Sequence, residues 1–141
     1  MSNPFTTTSI LTPEMVAQGL QVRREVLGDA YVDRTLQNMD EFSRPLQEVA
    51  TGFAWGQIWT RDGLDRKTRS LLNLAMLSAL NRQTEFKTHV RGAFNNGATL
   101  AEVQEVLLQV ATYAGMPAGV EAFRNAGQVV QEMKAEGREL K

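Results

Sequence analysis

The chain has 141 residues, with 15 Lys and Arg against 16 Asp and Glu, a formal net charge of −1. That balance lacks the basic excess a nucleic-acid or anionic-membrane binder needs. Zero cysteines exclude disulfides, thiol nucleophiles and thiolate metal sites.

The length suits one domain that can bury an ordinary core. No apolar run nears the roughly 18–20 residues needed to span a bilayer. The opening "MSNPFTTTSILTPEM" has neither the basic nor the apolar region of a signal peptide. A cytoplasmic protein is expected, with a flexible Thr-rich arm over residues 1–11 and a single helical domain over 12–141.

In chain order, Thr12-Pro13-Glu14 reads as a helix start: a capping hydroxyl, proline in the first turn, then an acid. That helix runs to about Leu27 and stops at Gly28. A second begins near Asp29 and fades towards Ser43. A third restarts at Pro45, with Ser43 as its cap and Leu46, Val49 and Phe53 at helical spacing. Asp62-Gly63 reads as a turn. Asp65 opens a long helix to Leu80, apolar almost all round and therefore expected in the centre. Thr84 to Asn96 is the next, stopped by Gly97. Thr99 to Glu102, "TLAE", is a capping box, in which hydroxyl and carboxylate each take up an unpaired amide. It opens a helix with Val103, Val106, Leu107, Val110 and Ala111 on one stripe. A last helix covers about Ala118 to Glu136. The expected fold is all-α, with six or seven helices.

The chain holds one histidine, His89, four residues after Glu85. Imidazole is the side chain whose ordinary pKa lets it exchange a proton near neutral pH. Arg82, Glu85 and His89 sit at i, i+3 and i+7, so a helix that began by residue 82 would present all three on one face. If the helix begins at Thr84, Arg82 lies just before its positive end, where a carboxylate docks well. Glu85 can orient the ring and raise its proton affinity, or the pair can be an ordinary surface contact. With one His and no Cys, no protein metal site is expected. No phosphate loop or nucleophile elbow is present. Trp55 and Trp59 lie one turn apart and either anchor a core or interface or wall a pocket. Arg61 follows them as a second possible anion contact, and Arg91 lies two residues past His89.

Four segments together resemble the carboxymuconolactone decarboxylase family: "GLQVRREVLGDAYVDR", "FAWGQIWTRDGLDRKTRSLLNLAML", "RQTEFKTHVRGAFNNGAT" and "EVQEVLLQVATYAGMPAG". The likeness spans roughly residues 18 to 133. The wider superfamily includes AhpD-like peroxide reductases, which carry C-x-x-C just before the histidine. Here that spacing falls on Arg82 and Glu85, so the chain resembles the branch without the redox pair. The glutamate of the redox proton relay falls on Ser70.

The resemblance implies an AhpD-like helical bundle that assembles as a homo-oligomer, a trimer or hexamer. It implies cofactor-free decarboxylation of 4-carboxymuconolactone to 3-oxoadipate enol-lactone in protocatechuate breakdown. The substrate is a small dicarboxylate lactone whose own carbonyl takes up the electrons. In this reading His89 and Glu85 are catalytic; Arg82, Arg61, Trp55 and Arg91 bind substrate. A related lactone lyase or isomerase, or a non-catalytic helical oligomer, is the alternative.

Overall fold

The computed structural model describes residues 10–141. The expected flexible arm lies almost wholly outside them. The described residues form seven α-helices and one π-helical stretch, with no strand among them. The chain divides after Arg61 into two compact units.

The N-terminal unit holds α1 (Pro13–Leu27), α2 (Asp29–Gln37) and α3 (Arg44–Val49), the last running on as a π-helix over Ala50–Ile58. Thr12 caps α1, its hydroxyl accepting from the Met15 amide at 3.2 Å. Gly28, at φ 90°, ends it. Arg24 bridges into α2 through Asp29 at 3.2 Å and Asp33 at 2.8 Å.

α1 lies almost backbone to backbone against the π-helical stretch. A methyl group on Gly19 would overlap the Thr51 carbonyl, and one on Gly56 would overlap that of Met15. Beside this contact Trp55 and Trp59 stack, with ring centroids 4.6 Å apart, in a core with Val22, Val26 and Val32. Arg23 is buried there as well. Its Nη1 donates to Gln47 at 2.9 Å and to Thr51 at 3.2 Å, and burial holds its pKa below the usual arginine value.

One expectation fails in this unit, the cap at Ser43. Ser43 bonds back to Asp40 instead of capping α3. Leu46, Val49 and Phe53 are exposed. The inward face is Thr51, Gly52, Trp55 and Gly56. Close approach of α1 requires small residues there, so the larger apolar stripe is turned outward.

The C-terminal unit is a four-helix assembly of α4 (Arg66–Ala79), α5 (Gln83–Asn95), α6 (Leu100–Tyr113) and α7 (Met116–Ala135). Asp65 caps α4, accepting from the Thr68 amide at 2.7 Å. Asn81, at φ 59°, turns the chain into α5, and Gly97, at φ 91°, ends the turn after it. The capping box at α6 is complete, with Glu102 N–H donating to the Thr99 hydroxyl at 3.1 Å and Thr99 N–H to the Glu102 carboxylate at 2.9 Å. The same carboxylate pairs with Lys67 at 3.0 Å, tying α6 to the start of α4. α7 begins two residues earlier than expected, because Gly115, at φ 108°, supplies the turn and Pro117 fits the first helical turn.

Leu74 of α4 and Phe86, Val90 and Phe94 of α5 pack on Val103 and Leu107 of α6 and on Ala122 and Met133 of α7. The stripe on α6 thus meets the core as its spacing predicts. α4 does not. Ser70, Leu74 and Ser78 are its buried positions, while Leu72, Met76 and Leu80 are exposed. One face packs on α5 to α7 and the other borders a cleft of about 470 Å3 lined by Leu71, Leu72, Ala75, Val106, Val110 and Tyr113. Among the described residues no helix is long and apolar enough to cross a membrane.

Candidate active site

α5 carries three of the expected site residues. Arg82 is its N-cap; the Arg82 carbonyl accepts the first helical bond from the Phe86 amide at 2.9 Å. Its exposed side chain stands at the helix's positive end, where amides lack intrahelical partners. Glu85 lies in the first turn, also exposed. One turn on, His89 is half-buried.

A neighbour of the His89 ring across the helix pair is Asn73, in the middle of α4. Its side-chain nitrogen lies 3.3 Å from His89 Nδ1. Burial pushes the His89 pKa down to about 4, and the charge of Glu85 opposes this only in part. The sequence offered Glu85 as a group that raises the ring's proton affinity. Its charge does act in that direction, but loss of solvation is the larger effect. At neutral pH the ring is uncharged.

The other expected residues are on α5 and in the N-terminal unit. Arg91 makes a two-pronged pair with Glu136 at 2.8 and 3.1 Å and approaches Glu132 at 3.6 Å, fastening α5 to α7. Trp55 is in the core of the N-terminal unit, and Arg61 is exposed at the end of that unit. Ser70, at the position of the redox relay glutamate, is fully buried and accepts from the Asn96 side chain at 2.9 Å. Among the described residues no three His, Cys, Asp or Glu side chains gather closely enough to hold a metal ion.

Asn73 is the residue that sequence reasoning missed. Its signal was a lone amide inside the apolar run "SLLNLAML". A polar side chain in the middle of such a helix has to find a partner when it is covered, and the one it meets is the chain's sole imidazole.

Residues 44–128 match the sequence profile described as the carboxymuconolactone decarboxylase family. The chain is also 45% identical over 116 residues to 4-carboxymuconolactone decarboxylase of Acinetobacter baylyi, covering 82% of this chain and 87% of that one. The chain belongs to the carboxymuconolactone decarboxylase family. A second relative is nitrosuccinic acid decarboxylase npaB of Metarhizium robertsii, 42% identical over 120 residues, 85% of this chain and 84% of that one. A 4-carboxymuconolactone decarboxylase of Pseudomonas putida is 53% identical over 38 residues, 27% of this chain and 79% of that sequence. The family match contains Arg82, Glu85 and His89, and Asn73 with them.

Proposed function

We propose that this protein is a carboxy-lyase that decarboxylates 4-carboxymuconolactone to the 3-oxoadipate enol-lactone without a cofactor. The observation that carries this reading is the 45% identity to the Acinetobacter enzyme across most of both chains. The chemistry of α5 fits it. In the substrate one ring carbon bears both a carboxylate and a carboxymethyl arm. When the bond to CO2 breaks, its electron pair moves through the ring double bond to the lactone carbonyl oxygen. The dienolate then takes a proton at the ring carbon beside the carbonyl. The protein has to hold anionic arms, stabilise the developing oxyanion and let a proton reach that carbon.

Arg82 and the free amides of the α5 N-terminus hold a carboxylate of the substrate in this proposal. His89 faces the lactone oxygen, and the exposed Glu85 biases the ring's charge from one turn away. The half-buried setting of His89 strengthens its contact relative to water. A homo-oligomer, trimer or hexamer, in the cytoplasm belongs to the same proposal. The exposed Leu72 and Met76 of α4, Leu80 just past its end, and Leu108 and Tyr113 of α6 offer apolar surface for it.

A second reading comes from the Metarhizium relative, whose name specifies a nitro-substituted dicarboxylic acid. Loss of CO2 beside a nitro group sends the electron pair into that group, so the same demands apply: an anion held, a developing oxyanion stabilised, one proton returned to carbon. Incubation with the lactone and with nitrosuccinate separately, following CO2 release and ultraviolet absorbance, tests both. Faster turnover of the lactone supports the first reading. Turnover of nitrosuccinate alone replaces it. Turnover of neither, with no rise in melting temperature, removes both.

A further inference from the structure

We propose that Asn73 is a positioning residue: its side-chain amide donates to His89 Nδ1, fixes the ring proton on Nε2, and so presents His89 as a neutral N–H donor. This rests on the assignment of His89 to the substrate's carbonyl oxygen. It goes beyond that assignment by deciding what His89 does there, since the sequence left both proton delivery and polarisation open.

A neutral imidazole has one nitrogen that donates and one that accepts. An amide nitrogen only donates. With Asn73 Nδ2 at 3.3 Å from His89 Nδ1, that ring nitrogen is the acceptor and the hydrogen resides on Nε2. The choice of amide over carboxylate matters. An aspartate at this position would accept from Nδ1, draw the ring hydrogen to that side and favour the imidazolium. Asparagine has the same shape without the charge. It leaves the ring uncharged in a half-buried place where desolvation already disfavours the cation.

The lock is also rigid. Asn73 stands between Leu72 and the fully buried Leu74, which packs in the same core as Phe86 and Val90 of α5. The two helices that carry donor and acceptor are thereby held in register around the contact.

The chemical consequence is specific. A neutral imidazole does not release its remaining hydrogen at ordinary pH, but its N–H stabilises negative charge building on an oxygen. His89 therefore polarises the carbonyl and supports the dienolate. It is not the source of the hydrogen that ends on ring carbon, which arrives from water or another acid.

The single histidine makes the test direct, because a two-bond 1H–15N spectrum of uniformly labelled protein contains one imidazole. At pH 7 the wild type should show a protonated Nε2 and a bare Nδ1. Asn73→Asp should move the hydrogen to Nδ1 or give the imidazolium, and lower kcat by roughly 10²-fold with KM little changed. Asn73→Leu, which keeps the helix apolar and folded, should give a mixture of tautomers and an intermediate kcat. A protonated Nδ1 in the wild type overturns the proposal, as does an Asn73→Asp spectrum identical to wild type. Unchanged kcat in both variants overturns the positioning role even if the tautomer is as expected. Failure of the wild type to turn over the lactone, with the Nε2–H pattern intact, counts against the substrate reading and leaves the Asn73–His89 contact established.

Discussion

At the scale of single residues, the chemistry converges on His89, and its environment gives two predictions with opposite dependence on substrate. Replacing His89 with Gln should lower kcat by about 10²–10³-fold, the range typical of removing one donor to a developing oxyanion, while the melting temperature holds. A steady-state assay with a thermal melt checks both. Without substrate, His89 makes the fold acid-sensitive. Its pKa is about 4 in the folded chain against 6.5 for the free side chain. Between those values the unfolded chain binds more protons, so stability falls as pH drops from 6.5 through 4, and above 6.5 the effect vanishes. The loss amounts to about 3 kcal/mol at its fullest. Urea unfolding at pH 7, 5.5 and 4 should show this slope in the wild type and lack it in His89→Gln. Glu102 and Glu136, whose pKa values are held low by Thr99 and Lys67 and by Arg91 respectively, add acid sensitivity of their own, shared by both proteins. Arg82→Ala should raise KM for the dicarboxylate and leave the tautomer of His89 unchanged.

At the scale of elements, glycine placement separates contacts that tolerate no side chain from those that do. Gly19→Ala forces a methyl into the Thr51 carbonyl and should cost about 1–3 kcal/mol, since backbone cannot move aside cheaply. Gly127, on α7, has nothing within 4 Å of a built methyl, so Gly127→Ala should stabilise by about 0.5–1 kcal/mol. Thermal melts of the two variants should shift in opposite directions. These positions also show where the sequence was legible. Helix ends were, because Thr12, Asp65, Thr99 and Gly97 act through local bonds that spacing reveals. The faces of α3 and α4 were not. Which side of an apolar helix is covered depends on what packs there, and on the π-helical stretch that continues α3 the covered side is the one carrying glycines. The contact of Asn73 with His89 joins residues 16 apart on two helices, a pairing that helical periodicity within either one does not encode.

At the scale of the whole molecule, exposed apolar side chains on α4 and α6 lead to a prediction about assembly. Met76→Lys places a charge on a side chain that is 52% exposed and should leave the folded chain intact. If that surface is where copies meet, sedimentation should show smaller species than the wild type forms. An unchanged sedimentation coefficient would move the interface elsewhere. The family and the all-α class were readable from the four quoted segments, because they carry the helix caps, the "FAWGQIW" run and the His-x-Arg spacing together. The division after Arg61 was not, since "TRDGLD" looks like an ordinary turn whichever way the flanking helices pack.

The stacked indoles give this division an optical handle. Trp55 and Trp59 are the chain's two tryptophans and both belong to the N-terminal unit. Tryptophan fluorescence, and the exciton-coupled near-ultraviolet dichroism expected of rings 4.6 Å apart, therefore arise from that unit. The imidazole resonances report on the other. Followed side by side through a denaturant titration, the two signals reveal whether the halves lose their structure in a single cooperative event or one after the other.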